Sequence, residues 1–403
     1  MIFMEEIKGK YATAVSYAKS IDEKARAQIA RMCDYDFTKG SRIRIMPDVH
    51  AGKGCTIGTT MTVKDKVVPN IVGVDIGCGM YTVHLNTDTI DFSLWDEAAH
   101  FVPSGRNVWE EKQEKFDLRQ LHCFSQLKNK DWIEKSVGTL GGGNHFIEID
   151  RSKDGTYYLV IHTGSRNLGK QVAEIYQELA IDLNVGKASY LEQREMLIQE
   201  YKASGRQNDI QGALQELANN RRKTSIPEDL CYVYGESLQK YLHDVELCQQ
   251  FAKRNRECIA KALLDRTGIK GIDGFHTIHN YIDIEEMILR KGAIAAHKRE
   301  QVLIPLNMRD GSVLAVGKGN PDWNYSAPHG AGRIMSRMQA KAQLSLDEYK
   351  QSMDGIYTTS ISQSTLDEAP MAYKSLDDII SVIGDAVEII DVMKPVYNFK
   401  AAE

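Results

Sequence analysis

The 403-residue chain contains no stretch approaching the roughly 18 consecutive apolar residues of a membrane-spanning helix. Its start, MIFMEEIKGKYATAV, is interrupted by Glu5, Glu6 and Lys8, so it lacks the unbroken apolar region of a secretory leader. The seven cysteines form an odd set without disulfide-like spacing. These absences predict a cytoplasmic protein whose thiols serve as core filler or as ligands. A basic excess is also missing. The formal net charge is −5, so any contact with nucleic acid must come from a local patch rather than from bulk charge. There is no internal repeat, no low-complexity run and no Pro/Gly/Ser linker to divide the chain. Hydrophobic residues at 42% and charged residues at 26% are ordinary for a folded domain, and the length leaves room for a large core.

What is present is a change of rhythm along the chain. From about 40 to 165, short β-like runs alternate with glycine: SRIRIMPDVH, KVVPNIVGVD, MYTVHL, HFIEID and YYLVIH. From about 168 to 265 the period is helical. Val172, Ile175, Tyr176, Leu179 and Leu183 share one stripe, and Tyr241, Val245, Cys248, Ala252, Ile259 and Leu263 share another. Short apolar runs return in GAIAAH, QVLIPL and SVLAVG, followed by helix-like segments near 332–343 and 375–394. Chemically suggestive residues lie on both sides of the helical stretch. This predicts a mixed α/β fold, one domain over residues 1–403, with short strands around a central metal site and a helical excursion at about 168–265.

The turn VGVDIGCGM places Asp75 and Cys78 three residues apart after an apolar run, with glycines that let the backbone bend sharply. A carboxylate and a thiolate so spaced can face one cavity; taken alone, they equally fit a turn cap and a small buried hydrophobe. Further on, Asp154-Gly155 between two strand-like runs reads as a two-residue hairpin turn. That register pairs Lys153 with Thr156 and sets Ile147 opposite His162. His145 and His162 then become diagonal neighbours on one face, about 7–8 Å apart and within reach of one metal. The same parity sends Asn144 and Glu148 to the other face unless the GGG run bends the strand.

After His162, TGSRNLG opens a helix with Arg166 and backbone N–H groups, a weak anion-site pattern. His276 and His279 can share a face if helical, though only one need serve a site. In NYSAPHGAGRIMSR, His329 precedes Gly330, Ala331 and Gly332, which lets backbone approach a bulky ligand. Arg333 and Arg337, four apart, are expected on one helix face as a phosphate clamp. Asp75, Cys78, His145, His162 and His279 together supply one carboxylate, one thiolate and three imidazoles, enough for two metals sharing the sulfur. Such mixed donors do not single out a metal, and softness alone favours zinc.

The ordered series MPDVHAGKGCTIG, VGVDIGCGM, GGGNHFIE, HTGSRNLG, HN at 279–280 and HGAGRIMSR, with EAPMAYK at 368–374 and Lys400, resembles the motifs of the RtcB RNA ligase family. The likeness spans roughly residues 45 to 400. It implies joining of RNA 3′-phosphate or 2′,3′-cyclic phosphate ends to 5′-hydroxyl ends, with GTP and two manganese ions, in tRNA splicing or RNA repair. By the same resemblance Cys78 bridges the ions, Asp75 and His145 complete one, and His162 and His279 the other. His329 is the nucleophile that takes GMP. Asn144, His145, Glu148, His279, Asn280, Pro305, Asn307, Met308, Ser312, Gly330, Ala331, Gly332 and Lys400 form the nucleotide site. Arg166, Arg333 and Arg337 are expected to meet RNA phosphate, and an activating protein partner is left open.

Two positions depart from the family pattern. Pro305-Leu306-Asn307-Met308 stands where the family has Pro-Gly-Ser/Asp-Met, and Leu306 does not share glycine's access to positive φ. Ala327-Pro328 precedes His329 where Ser/Cys-rich residues are usual. Two other readings compete: a dinuclear phosphoesterase using the same five ligands without a covalent His329, and an RNA-end-binding protein without catalysis.

Overall fold

The stripe from Tyr241 to Leu263 folds as one helix, Gly235–Thr267, closed by Gly268 in the left-handed region at φ 70°. In the computed structural model, which describes residues 4–220 and 226–400, this helix enters both main cores. Tyr241, Val245, Cys248 and Phe251 pack with Ile29, Ile43, Ile45 and Val172. Further along, Ile259, Ala260 and Leu263 pack with Trp95, Leu159, Ile161 and Tyr397. Each large apolar side chain buried this way contributes about 1.5–3 kcal/mol, so one helix ties both sheets into one body.

The first sheet has six strands in the order Glu5–Lys8, Thr13–Ser16, Ile43–His50, Ile57–Thr62, Ile288–Lys291 and Asn280–Asp283. The second has seven: Gly271–Ile278, Gly79–Leu85, Tyr157–Thr163, Phe146–Arg151, Val387–Lys400, Gly311–Gly317 and Gln301–Asn307. Residues 278–280 carry the chain from the second sheet to the first, and His279 lies in that passage. The fold is the expected mixed α/β domain. Its helical excursion comprises Arg166–Val185, Lys187–Ala203, Ile210–Asn220 and the long helix. Among the described residues no helix is long and apolar enough to cross a membrane.

Local expectations fail where a turn or a pairing overrides the pattern. KVVPNIVGVD holds only a two-residue strand, Lys66–Val67, because Pro69 opens a helical turn, Pro69–Val72. The helix expected at 375–394 stops at Ile380, and Val387–Lys400 is a strand paired on both sides. Its EIIDV run is rich in β-branched residues, and Pro395, which has no N–H to donate, sits at a register shift. Near 332–343 the helix begins only at Arg337, capped by Ser336 and Gln339, so Arg333 precedes it.

The hairpin turn is also one residue longer than read. Ser152 and Thr156 close it, and Phe146, not Ile147, pairs with His162. Gly155 takes φ 95°, as a three-residue loop with glycine at the left-handed position requires. The slip reverses the facing of the strand. Glu148, placed on the far side by the shorter turn, is on the face of His162.

Behind the site, two polar residues interrupt the long helix's apolar stripe. Asn255 accepts the N–H groups of Gly138 and Thr139 at 2.8 and 2.9 Å and donates to the carbonyls of Thr139 and Gly164 at 3.1 and 3.0 Å. Arg256 donates to the carbonyls of Gly77 and Thr163, both at 2.8 Å. Asn255→Leu strands four buried backbone groups and is expected to cost about 3 kcal/mol of folding free energy. The urea midpoint reports it; an unchanged midpoint would refute this role.

Candidate functional site

Four segments bring their donors to one point. The turn at Asp75–Cys78 is held by Cys78 N–H on the Asp75 carbonyl at 3.2 Å, and Gly77 N–H on the Asn280 carbonyl at 2.7 Å. The residue facing Asp75 must be glycine, because a Cβ at Gly164 would overlap its carboxylate. His145 lies just before the strand Phe146–Arg151, His162 near the end of Tyr157–Thr163, and His279 in the passage between sheets. His276, on the preceding strand, points elsewhere and stacks on Tyr81 at 4.3 Å between ring centroids.

The donor atoms converge. Cys78 Sγ is 3.6 Å from His145 Nε2 and 3.3 Å from His162 Nε2. His145 Nε2 is 3.1 Å from Asp75 Oδ2, and His162 Nε2 is 3.4 Å from His279 Nε2. They form two sets, Asp75–Cys78–His145 and Cys78–His162–His279, each with all ligand atoms within 4.8 Å and Cys78 common to both. The far nitrogens explain the aim. His145 Nδ1 donates to the Leu140 carbonyl at 2.9 Å and His162 Nδ1 to the Asn144 carbonyl at 3.1 Å. Both Nε2 lone pairs are thereby left free toward the sulfur.

Electrostatics agree with a cation centre. Burial, then the neighbouring His145, pushes His162 well below its ordinary range, and burial, then His329 and His162, does the same to His279. Both are neutral, as ligands must be. Burial, then the Asp75 charge, pushes the Cys78 thiol well up. A cation would provide what a thiolate there lacks. Burial would raise Asp75, but the contact with His145 outweighs it and holds the carboxyl low. The donor set therefore fits two divalent ions of intermediate softness bridged by sulfur.

Beside the donors opens a cavity of about 350 Å³, lined in part by Asn144, Glu148, Asn280, Gly330 and Lys400. This is the size range of small-ligand pockets. Pro305, Asn307, Met308, Ala331, Gly332, Arg333 and Arg337 line it too. Ser312 is fully buried and does not line it; it stands opposite Pro305 in the sheet. Arg166 does not line it either, and donates to Thr139 Oγ1 at 3.0 Å and to the Gly105 carbonyl at 2.8 Å. Leu306 does not need glycine's conformation: it is absent from the positive-φ residues and buries its side chain in the core at a bulge. Arg333 and Arg337 do converge, not along a helix face but on Glu368, at 3.2 and 3.8 Å.

His329 stands at the cavity edge, its ring centroid 4.9 Å from that of His279. Its Nδ1 donates to Asp48 Oδ2 at 2.6 Å, and its backbone N–H reaches the same oxygen at 3.1 Å. Asp48 is fully buried, and Gly332 passes so close that a Cβ would lie 2.6 Å from the Asp48 carbonyl oxygen. The lone pair of His329 Nε2 is thus left free.

Sequence reasoning assigned no role to Asp48, Glu368, Tyr373, Asn255 or Arg256. The first three lie inside MPDVH and EAPMAYK, so the motifs contained the signal. For the last two the signal was two polar residues at stripe spacing between Ala252 and Ile259.

A family model described as tRNA-splicing ligase RtcB matches residues 28–129 and 111–401. The RNA-splicing ligase RtcB of Escherichia coli is 28% identical over 424 positions, covering 94% of this chain and 95% of that protein. The tRNA-splicing ligase RtcB of Aeropyrum pernix is 27% identical over 435 positions, covering 84% and 83%. That of Archaeoglobus fulgidus is 27% identical over 426 positions, with the same coverage of 84% and 83%.

Proposed function

The chain belongs to the RtcB family, and on that premise we propose that it is a cytoplasmic ligase joining RNA 3′-phosphate or 2′,3′-cyclic phosphate ends to 5′-hydroxyl ends, with GTP and manganese. Its tasks are tRNA splicing or RNA repair. One observation carries the reading: a histidine with one nitrogen tied to a buried carboxylate and the other free, at the edge of a cavity that opens beside two three-donor sets sharing one sulfur.

The chemistry follows from a leaving-group problem. A 3′-phosphate is a poor electrophile, since attack by a hydroxyl would have to expel oxide or hydroxide. Nε2 of His329 attacks the α-phosphorus of GTP, and the N–P bond forms as the bond to pyrophosphate breaks. An oxygen of the RNA 3′-phosphate then takes GMP from the histidine. The 5′-hydroxyl attacks the 3′-phosphorus and expels GMP. A cyclic end must first be opened by water.

Asp48 accepts the Nδ1 proton throughout and stabilises positive charge on the ring. Asn144, Glu148, Asn280, Lys400 and the backbone at Gly330–Gly332 hold the nucleotide. Arg333 and Arg337 meet the RNA phosphate. Manganese held by Asp75, Cys78 and His145, and by Cys78, His162 and His279, would offset charge developing on phosphoryl oxygens.

The test is covalent labelling with manganese and GTP labelled at the α-phosphate. The expected result is an acid-labile label on the wild-type protein that disappears in His329→Ala. No label from GTP or ATP, with metal confirmed bound, would replace the ligase by a dinuclear phosphoesterase.

A further inference from the structure

Glu368 is 3% exposed and ends the short turn Leu366–Glu368 in the cavity wall. Its two oxygens serve different partners. Lys400 Nζ and the Tyr373 hydroxyl each donate to Oε2 at 2.7 Å. Arg333 Nη1 donates to Oε1 at 3.2 Å, and Arg337 Nη2 lies 3.8 Å from the same oxygen. Tyr373 also accepts from Arg333 Nη1 at 3.1 Å, which closes the ring between the two sides. Burial would raise this carboxyl, but the charge and hydrogen bond of Lys400, with Tyr373 and Arg337 after it, hold it down at about 2. It is therefore an anion at every working pH.

On the reading above, Lys400 belongs to the nucleotide end of the cavity and Arg333 and Arg337 to the RNA-phosphate end. We infer that Glu368 is a positioning residue that couples these two ends, holding Lys400 on one oxygen in competition with the arginines on the other.

The coupling has a definite sign. Glu368 faces three cations and shares its field among them, and of these Arg337 also has Asp367 Oδ2 at 3.8 Å from its Nε. When Lys400 turns toward a nucleotide, Glu368 holds Arg333 and Arg337 more firmly, and an arriving phosphate must compete with it for both. When a phosphate draws the arginines away, Glu368 holds Lys400 more firmly and the nucleotide is gripped less. The two effects are equal by linkage. The arrangement opposes tight simultaneous binding of both ligands and assists departure of GMP once RNA is seated.

The experiment measures the affinity of an RNA oligonucleotide ending in a 3′-phosphate, against the same oligonucleotide ending in a 3′-hydroxyl. Fluorescence anisotropy is used on the manganese-loaded protein without nucleotide. Wild type, Lys400→Met, Glu368→Gln and the double variant form a cycle. Lys400→Met is expected to weaken 3′-phosphate binding about tenfold when Glu368 is present and by no more than about twofold in Glu368→Gln. Equal losses in both backgrounds would overturn the coupling, because a purely structural or purely additive Glu368 predicts them. Glu368→Asp keeps the charge but shortens its reach, and should show an intermediate loss; it serves the cycle should Glu368→Gln fail to fold. If the wild type holds both oligonucleotides equally, the phosphate role of the arginines falls and the coupling with it. The covalent label on His329 stands or falls separately.

Discussion

Cys78→Ala is expected to lower ligation by about a thousandfold or more, equivalent to about 4 kcal/mol of barrier, and to deplete bound metal. The reason is that Cys78 Sγ belongs to both donor sets, whereas each of the other four donors belongs to one. Removing any other donor leaves one set whole. Removing the sulfur leaves two two-donor remnants and takes away the one anionic donor that two cations would share. Cys78→Ser tests the charge alone, since a hydroxyl of similar size stays neutral near pH 7, and it should fare little better. Metal analysis after desalting, beside a gel assay with 3′-phosphate and 5′-hydroxyl RNA, checks both parts. A variant that keeps two ions per chain and full ligation would end the bridged-metal proposal.

The second large effect concerns a residue that touches no donor. Asp48→Asn should slow formation of the His329–GMP adduct by about a hundredfold to ten-thousandfold while leaving metal content unchanged. In the native arrangement Asp48 accepts the Nδ1 proton at 2.6 Å, and this fixes the tautomer whose Nε2 is unprotonated. An asparagine amide can donate in its place, which stabilises the opposite tautomer and puts the proton on the attacking nitrogen. Labelling rate, metal content and melting temperature are measured together. Loss of metal or collapse of the fold would assign Asp48 a structural task; normal labelling would remove it from the chemistry.

The hairpin of residues 146–163 illustrates what sequence alone can and cannot decide. Asp154-Gly155 correctly marks a turn, but a two-residue and a three-residue loop differ by one position of register, and one position inverts a strand. The longer loop brings Glu148 to the face of His162, while His145 reaches the same point because it precedes the strand and escapes its alternation. The segment 387–400 makes a similar point. Its apolar spacing suits either period, and only neighbours at 311–317 and 146–151, both distant in sequence, select a strand.

The sequence by itself determined the inventory: a mixed α/β chain without membrane helices among its described residues, one long helix readable from its stripe, and a set of five soft and hard donors with a separate glycine-flanked histidine. These follow from local chemistry, since hydrophobic period and residue type are properties of short stretches. Tertiary structure alone decided which oxygen or nitrogen of each residue faces the cavity. Asp48 lies 281 residues from His329, and Glu368 gathers Arg333 and Lys400 from opposite sides in the chain. Such pairings depend on long-range strand register and on the buried Asn255–Arg256 clip, where a single residue's shift changes the partner, and no short window of sequence contains that information.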